Sequence, residues 1–169
     1  DLRDDIRDSD GVQTGNFAIA SVTTGTAGQN DHTFDFGFFT QSYSLGNRVW
    51  FDDGRGGGTP DNGVQDGTEI GIDGVTVNLL DNLGNVIATT VTAAGGYYRF
   101  DNLLPGTYTV EIPASNFAPG GVLSGLNSST DAPTSATPNI DVDRDDNGVN
   151  AVAGGVRSNP IQLGPPGPT

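Results

Sequence analysis

Nineteen of the 21 acidic residues in this chain are Asp, and only Glu69 and Glu111 are Glu. Glu suits helix surfaces, whereas Asp competes with the backbone for hydrogen bonds and belongs in turns and metal loops. With 26 Gly and 10 Pro in 169 residues, the chain is built for short strands joined by many turns, with its carboxylates in the connections. The net charge of −14 repels nucleic acid and anionic membranes and attracts cations. No apolar run approaches the ~18 residues that would span a bilayer. No signal peptide is evident, so the chain reads as a mature segment of something longer.

The missing residue types narrow the chemistry further. Without Cys there is no disulfide, thiolate metal site or thiol nucleophile. All seven basic residues are Arg, so Schiff-base chemistry and a Lys–Asn crosslink are excluded. His32 is the single His, which rules out a multi-His metal site within one chain. It reads as a surface residue, and no catalytic constellation is evident.

Period-two alternation bounded by turn residues predicts strands over 17–22, 33–38, 43–51, 74–80, 86–92, 97–100 and 107–112. Less certain strands follow near Ile140 and over 156–163, and 164–169 reads as a Pro/Gly linker. Strands at this spacing predict an all-β sandwich. There is also an internal echo. Arg7-Asp8-Ser9-Asp10-Gly11-Val12-Gln13 resembles Arg144-Asp145-Asp146-Asn147-Gly148-Val149-Asn150, and Asp4/Asp141 and Ser21/Ser158 match at the same offset. That period suits an array of domains. Residues 1–40 then read as the tail of a preceding repeat or a donor strand segment, and 43–163 as the main domain.

The acidic spacing points to a divalent cation. Counted back from Glu69 as position 12 of an EF-hand-like loop, Asp66 falls at 9, Val64 at 7 (a backbone carbonyl), Gly63 at the sharp turn and Asn62 at 5. Gly54 to Pro60 interrupts the register, which leaves Asp52, Asp53 or Asp61 to supply the first ligands. Calcium wants six to eight oxygens, and such a loop presents them. A second loop sets Asp143, Asp145 and Asn147 at positions 1, 3 and 5 before Gly148, with Asp141 and Asp146 beside them. It has no closing carboxylate and needs help from another loop. Asp4, Asp8 and Asp10 form its weaker echo.

These motifs resemble a known family. Leu45-Gly46-Asn47-Arg48-Val49-Trp50-Phe51-Asp52, Asn62-Gly63-Val64-Gln65-Asp66, Gly71-Ile72-Asp73-Gly74-Val75 and Gly96-Tyr97-Tyr98-Arg99-Phe100 are similar to the SdrD B-like domain of staphylococcal serine-aspartate repeat surface proteins, within the wider collagen-adhesin B-type group. The resemblance implies an Ig-like or prealbumin-like β-sandwich with calcium-binding loops, serving as a stalk or spacer on a bacterial surface or outside the cell. It carries Asp52, Asn62, Asp66 and Glu69 over to one site, and Asp143, Asp145 and Asn147 to another. The competing readings are an adhesin module for a host protein or carbohydrate, and an accessory domain of a secreted hydrolase.

The family's domain closes with a strand like Thr33-Phe34-Asp35-Phe36-Gly37-Phe38, and the 43–163 domain lacks one of its own. That strand is expected to fold back, to stay with residues 1–30, or to fill the gap in a neighbouring chain. The three-residue linker 40–42 spans at most about 11 Å, which limits folding back unless the two strands are sheet neighbours, and the last outcome is favoured. The expected partner is therefore the protein itself, head to tail.

Overall fold

The structure, a computed structural model, describes residues 9–15, 17–23, 25–28, 34–39, 41–129, 146–150 and 154–164. The chain divides into two compact units, Asp1–Thr40 and Gln41–Thr169. In the first, β1 (Val12–Thr14) and β2 (Phe17–Ile19) form an antiparallel hairpin with Val12 opposite Ile19 and Thr14 opposite Phe17. Of the strand expected over 33–38, residues 34–38 are described and form no strand; the segment is tied instead to residues 9–10. Asp10 N–H donates to the Asp35 carbonyl (3.0 Å), Asp35 N–H to Asp10 Oδ2 (3.1 Å) and Gly37 N–H to Ser9 Oγ (3.1 Å). The Phe36 ring lies against Gly11, where a Cβ would come within 2.6 Å of it.

The second unit is the expected all-β sandwich. Its strands are β3 (Tyr43–Arg48), β4 (Thr76–Leu80), β5 (Val86–Val91), β6 (Tyr97–Leu103), β7 (Gly106–Ile112), β8 (Val149–Asn150), β9 (Val156–Arg157) and β10 (Ile161–Leu163). One sheet runs β5-β4-β7-β9-β8, with β10 also paired to β7, and the other is β3-β6. The ladders are antiparallel. The expected strand over 156–163 is broken in two. Ser158 N–H donates to the Val110 carbonyl (2.9 Å), and Val110 N–H donates to Ser158 Oγ (3.0 Å). The serine therefore takes over the ladder for one residue, and β9 and β10 share the same edge of β7.

The pleat decides what is buried. In β4, Val77 and Leu79 are fully buried, while Thr76 and Asn78 face outward. They join Val75, Ile72, Phe100, Val110 and Leu123 in one core between the sheets. On the outer face of the large sheet a polar ladder crosses four strands. Thr89 Oγ1 donates to Asn78 Oδ1 (2.9 Å), Asn78 Nδ2 to Glu111 Oε2 (3.0 Å) and Arg157 Nη2 to Glu111 Oε1 (2.7 Å). The Asn78 amide first, and Arg157 after it, hold the Glu111 carboxyl below its ordinary range against the opposing effect of burial.

Connections do part of the core's work. Phe117, which the sequence places in a loop, packs on the core behind a 3₁₀ turn at Ala114–Asn116. Asn116 is buried and acts as a substitute strand for β4, accepting from Thr76 N–H (2.9 Å) and donating to the Thr76 carbonyl (3.0 Å). Asp73 Oδ1 accepts from the N–H groups of Gly95 (2.8 Å) and Gly96 (2.6 Å), fixing a turn in which Ala94, Gly95 and Gly96 all have positive φ. Among the described residues, no helix is long and apolar enough to cross a membrane.

Two consequences can be measured. Leu79→Ala empties a fully buried position and is expected to cost about 2–5 kcal/mol in urea unfolding. Leu83→Ala, at a turn position 81% exposed, should stay within about 0.5 kcal/mol. Burial raises the Tyr98 hydroxyl from 10.0 to about 12. The folded state thus holds this proton more tightly than the unfolded chain does. Its contribution is complete below pH 10 and is lost as pH rises through about 12. Tyr98→Phe should flatten the fall in melting temperature across that window, and an unchanged alkaline profile would show that Tyr98 does not set it.

Candidate metal centre

The segment between Trp50 and Gly71 leaves and rejoins the sandwich at one place, where these two residues bridge and Phe51 N–H donates to the Ile70 carbonyl (2.9 Å). The excursion carries Asp52, Asp53, Asp61, Asp66 and Glu69 with one cation, Arg55, which pairs with Asp53 at 3.1 Å. Two carboxylates ~5 Å apart repel by about 3 kcal/mol at an effective dielectric of 20, so the loop needs donors or a cation.

Backbone amides meet part of that need. Glu69 is buried, with Oε1 accepting from Gly54 N–H (2.8 Å) and Oε2 from Asp66 N–H (3.2 Å). Asp66 accepts from Thr59 N–H on both oxygens (3.1 and 3.3 Å), and Asn62 Nδ2 donates to Asp66 Oδ2 (3.2 Å). Val64 N–H donates to Asn62 Oδ1 (2.8 Å). The interruption at 54–60 thus has a local purpose. Its turns, with Gly54, Gly56 and Gly57 at positive φ, aim the Gly54 and Thr59 amides at carboxylates further along the loop.

Asp52 is held differently. Its Oδ2 accepts from Gly63 N–H (2.8 Å), while Oδ1 is buried without a hydrogen-bond partner. The second acidic loop arrives at this point. Asp146 N–H donates to the Gly63 carbonyl (2.7 Å), and Asp146 Oδ1 accepts from Gly148 N–H (2.9 Å). Asp52, Asp53, Asp61, Asp146 and Asn147 all line one cleft. Asp61 stands at φ 54°, a left-handed conformation that Asp adopts more readily than most residues.

The two expected loops therefore meet, the second supplying neighbours to the start of the first. Asn62, Asp66 and Glu69 are instead knitted into the loop's own hydrogen bonds. Among the described residues, no three His, Cys, Asp or Glu side chains are grouped closely enough to form a metal cage. Asp10 belongs to the smaller unit, where its carboxylate accepts from Asp35 N–H. Asp4, Asp8, Asp141, Asp143 and Asp145 lie outside the described residues, as does His32. Sequence reasoning did not single out Asp73, whose turn-holding role is signalled by the glycine pair at 95–96.

Comparison with known proteins matches the same stretch of chain. Residues 43–156 match the SdrD B-like domain. The chain is 48% identical over 111 residues to serine-aspartate repeat-containing protein I of Staphylococcus saprophyticus, covering 64% of the chain and 6% of that protein. It is 38% identical over 146 residues to serine-aspartate repeat-containing protein F of Staphylococcus epidermidis, covering 86% and 7%. A fibrinogen-binding protein of Staphylococcus epidermidis is 48% identical over 91 residues, covering 53% and 8%. The chain thus spans less than a tenth of the length of these relatives. With a sandwich of this topology and a family match over 43–156, the chain belongs to the SdrD B-like domain family.

Proposed function

We propose that this chain is a non-enzymatic, calcium-stabilised structural repeat of an extracellular or bacterial cell-surface protein. It acts as a stalk, or as a filament subunit joined to its own kind head to tail through residues 33–39. Residues 1–40 are the tail of a repeat and 43–163 the body of the next. The observation that carries the calcium reading is Asp52 Oδ1, a buried carboxylate oxygen without a hydrogen-bond partner where the two acidic loops meet. A desolvated carboxylate oxygen needs a donor or a cation. Asp61, Asp146 and Asn147 line the same cleft and offer hard oxygen donors of the kind calcium selects. Asp52, Asp61, Asp146 and Asn147 are the residues that would hold it, and they would have to draw together around the ion, because as placed no three described carboxylates form a cage. Bound calcium supplies positive charge that joins the two loops and relieves their repulsion.

The alternative readings are an adhesin module, suggested by the fibrinogen-binding relative, and an accessory domain of a secreted hydrolase. A sticky module displays aromatic side chains in its loops. In the larger unit Tyr98, Phe100 and Phe117 pack against the core instead, which favours the structural reading for that unit.

Thermal melts in calcium and in excess chelator test the proposal. At ~100 times the dissociation constant one site adds about 2.7 kcal/mol, so chelator should lower the melting temperature by several degrees and expose the 52–69 loop to protease. Identical melts would refute calcium stabilisation. The variants separate the two kinds of carboxylate. Asp52→Asn should lose the calcium increment while melting normally in chelator. Glu69→Ala should melt lower in both conditions, because it leaves two part-buried amides without their acceptor. Asp81→Ala, at an exposed turn, should keep the full increment. Loss of the increment in Asp81→Ala but not in Asp52→Asn would place the ion elsewhere.

A further inference from the structure

Two Asn–Gly pairs occur in the chain, Asn62-Gly63 and Asn147-Gly148, and both lie in the acidic loops. An Asn side-chain amide is most open to attack by its own backbone when Gly follows, because glycine has no Cβ to shield its nitrogen. The reaction needs no partner but water. The Gly nitrogen bonds to the Asn Cγ, its proton leaves with the side-chain nitrogen as ammonia, and a five-membered succinimide remains. Water then opens the ring at either carbonyl, leaving Asp or isoaspartate.

At Asn62 each group that must move is held. Gly63 is buried; its N–H donates to Asp52 Oδ2 (2.8 Å) and its carbonyl accepts from Asp146 N–H (2.7 Å). Asn62 Oδ1 accepts from Val64 N–H (2.8 Å), and Asn62 Nδ2 donates to Asp66 Oδ2 (3.2 Å). The attacking nitrogen and the leaving amide are thus pinned separately, and the Gly63 peptide is gripped by both acidic loops. The second pair is guarded locally. Gly148 N–H donates to Asp146 Oδ1 (2.9 Å), only two residues back, a contact that travels with its own turn. Asp52 stands 11 residues from Gly63, so opening of the loop removes the guard on Asn62.

We propose that Asn62 is a self-modification site, kept intact by the closed loop and converted to Asp or isoaspartate once the loop opens. The product cannot restore what it replaces. The Nδ2 donor to Asp66 is gone, and a new carboxylate joins a loop that already carries Asp52, Asp53, Asp61, Asp66 and Glu69. The isoaspartyl form also adds a methylene to the backbone beside Gly63, which shifts that peptide out of register with Asp52 and Asp146. The modification is a one-way record of loop opening, and it needs neither calcium nor a second chain.

The test ages the whole chain at neutral pH in chelator, folded and in urea. Peptide mapping follows the mass gain of NH₂ to OH at position 62, and isoaspartyl methyltransferase labelling follows the rearranged product. Asn62 in the folded chain is expected to convert more than ~10-fold more slowly than in urea, since several hydrogen bonds must break first. Asp52→Ala removes the acceptor and should speed conversion about 3–10-fold, the equivalent of one hydrogen bond. Asp52→Asn keeps an acceptor oxygen and should stay near the native rate. Leu79→Ala weakens the core without touching the loop and should leave the rate unchanged. If Asp52→Ala does not fold, hydrogen exchange of the Gly63 amide in the native chain decides, with protection matching the slowing at Asn62 as the expected result. Equal rates folded and in urea, no acceleration in a folded Asp52→Ala, equal acceleration in Leu79→Ala, or an unprotected Gly63 amide would overturn the proposal.

Discussion

A carboxylate removed from water must be met by N–H donors or by a cation, and the larger unit is organised around that demand. Glu69 is met by the amides of Gly54 and Asp66, Asp66 by Thr59 and Asn62, and Asp73 by Gly95 and Gly96. These bonds give shape to segments that have no apolar core of their own. Asp52 is the place where the demand is only half met, with one oxygen on Gly63 and the other buried without a hydrogen-bond partner. A loop of this charge density gains order from its own backbone up to that point, and the cation of the proposed function would complete it.

The core beneath these loops depends on less. Val75, Val77, Leu79 and Leu80 are the most completely buried side chains, each contributing roughly 1.5–3 kcal/mol. They lie on or beside one strand, β4, which is flanked by β5 and β7. Glu111 and Arg157 add a charged clamp on the opposite face, so β4, β7 and β9 are fastened from both sides. The other sheet has only two strands, which leaves the sandwich well closed around β4 and open beside β3.

Much of this was legible in the sequence where period two governs. Val77 and Leu79 against Thr76 and Asn78 announce the buried face of β4, and Tyr98 and Phe100 against Tyr97 and Arg99 that of β6. Asn116, Leu123 and Phe117 were not legible as core, because they pack from irregular backbone that has no period to read. The break between β9 and β10 was equally hidden, since a serine hydroxyl standing in for a ladder carbonyl leaves no pattern. In the acidic loop, an EF-hand count assumes that carboxylates aim at an ion. Glu69 and Asp66 aim at amides delivered by the 54–60 turns, which spacing alone does not reveal. The convergence of 146–148 on Gly63 is a tertiary fact that no local motif encodes.

The central claim is that the meeting point of the two acidic loops holds calcium. Anomalous diffraction at long wavelength from crystals grown in calcium locates the ion without reference to stability. The account predicts a peak about 2.3–2.6 Å from Asp52 Oδ1 with Asp146 or Asp61 among its neighbours. Asp52 Oδ1 hydrogen-bonded to protein or water, with calcium only at exposed carboxylates elsewhere, would contradict it.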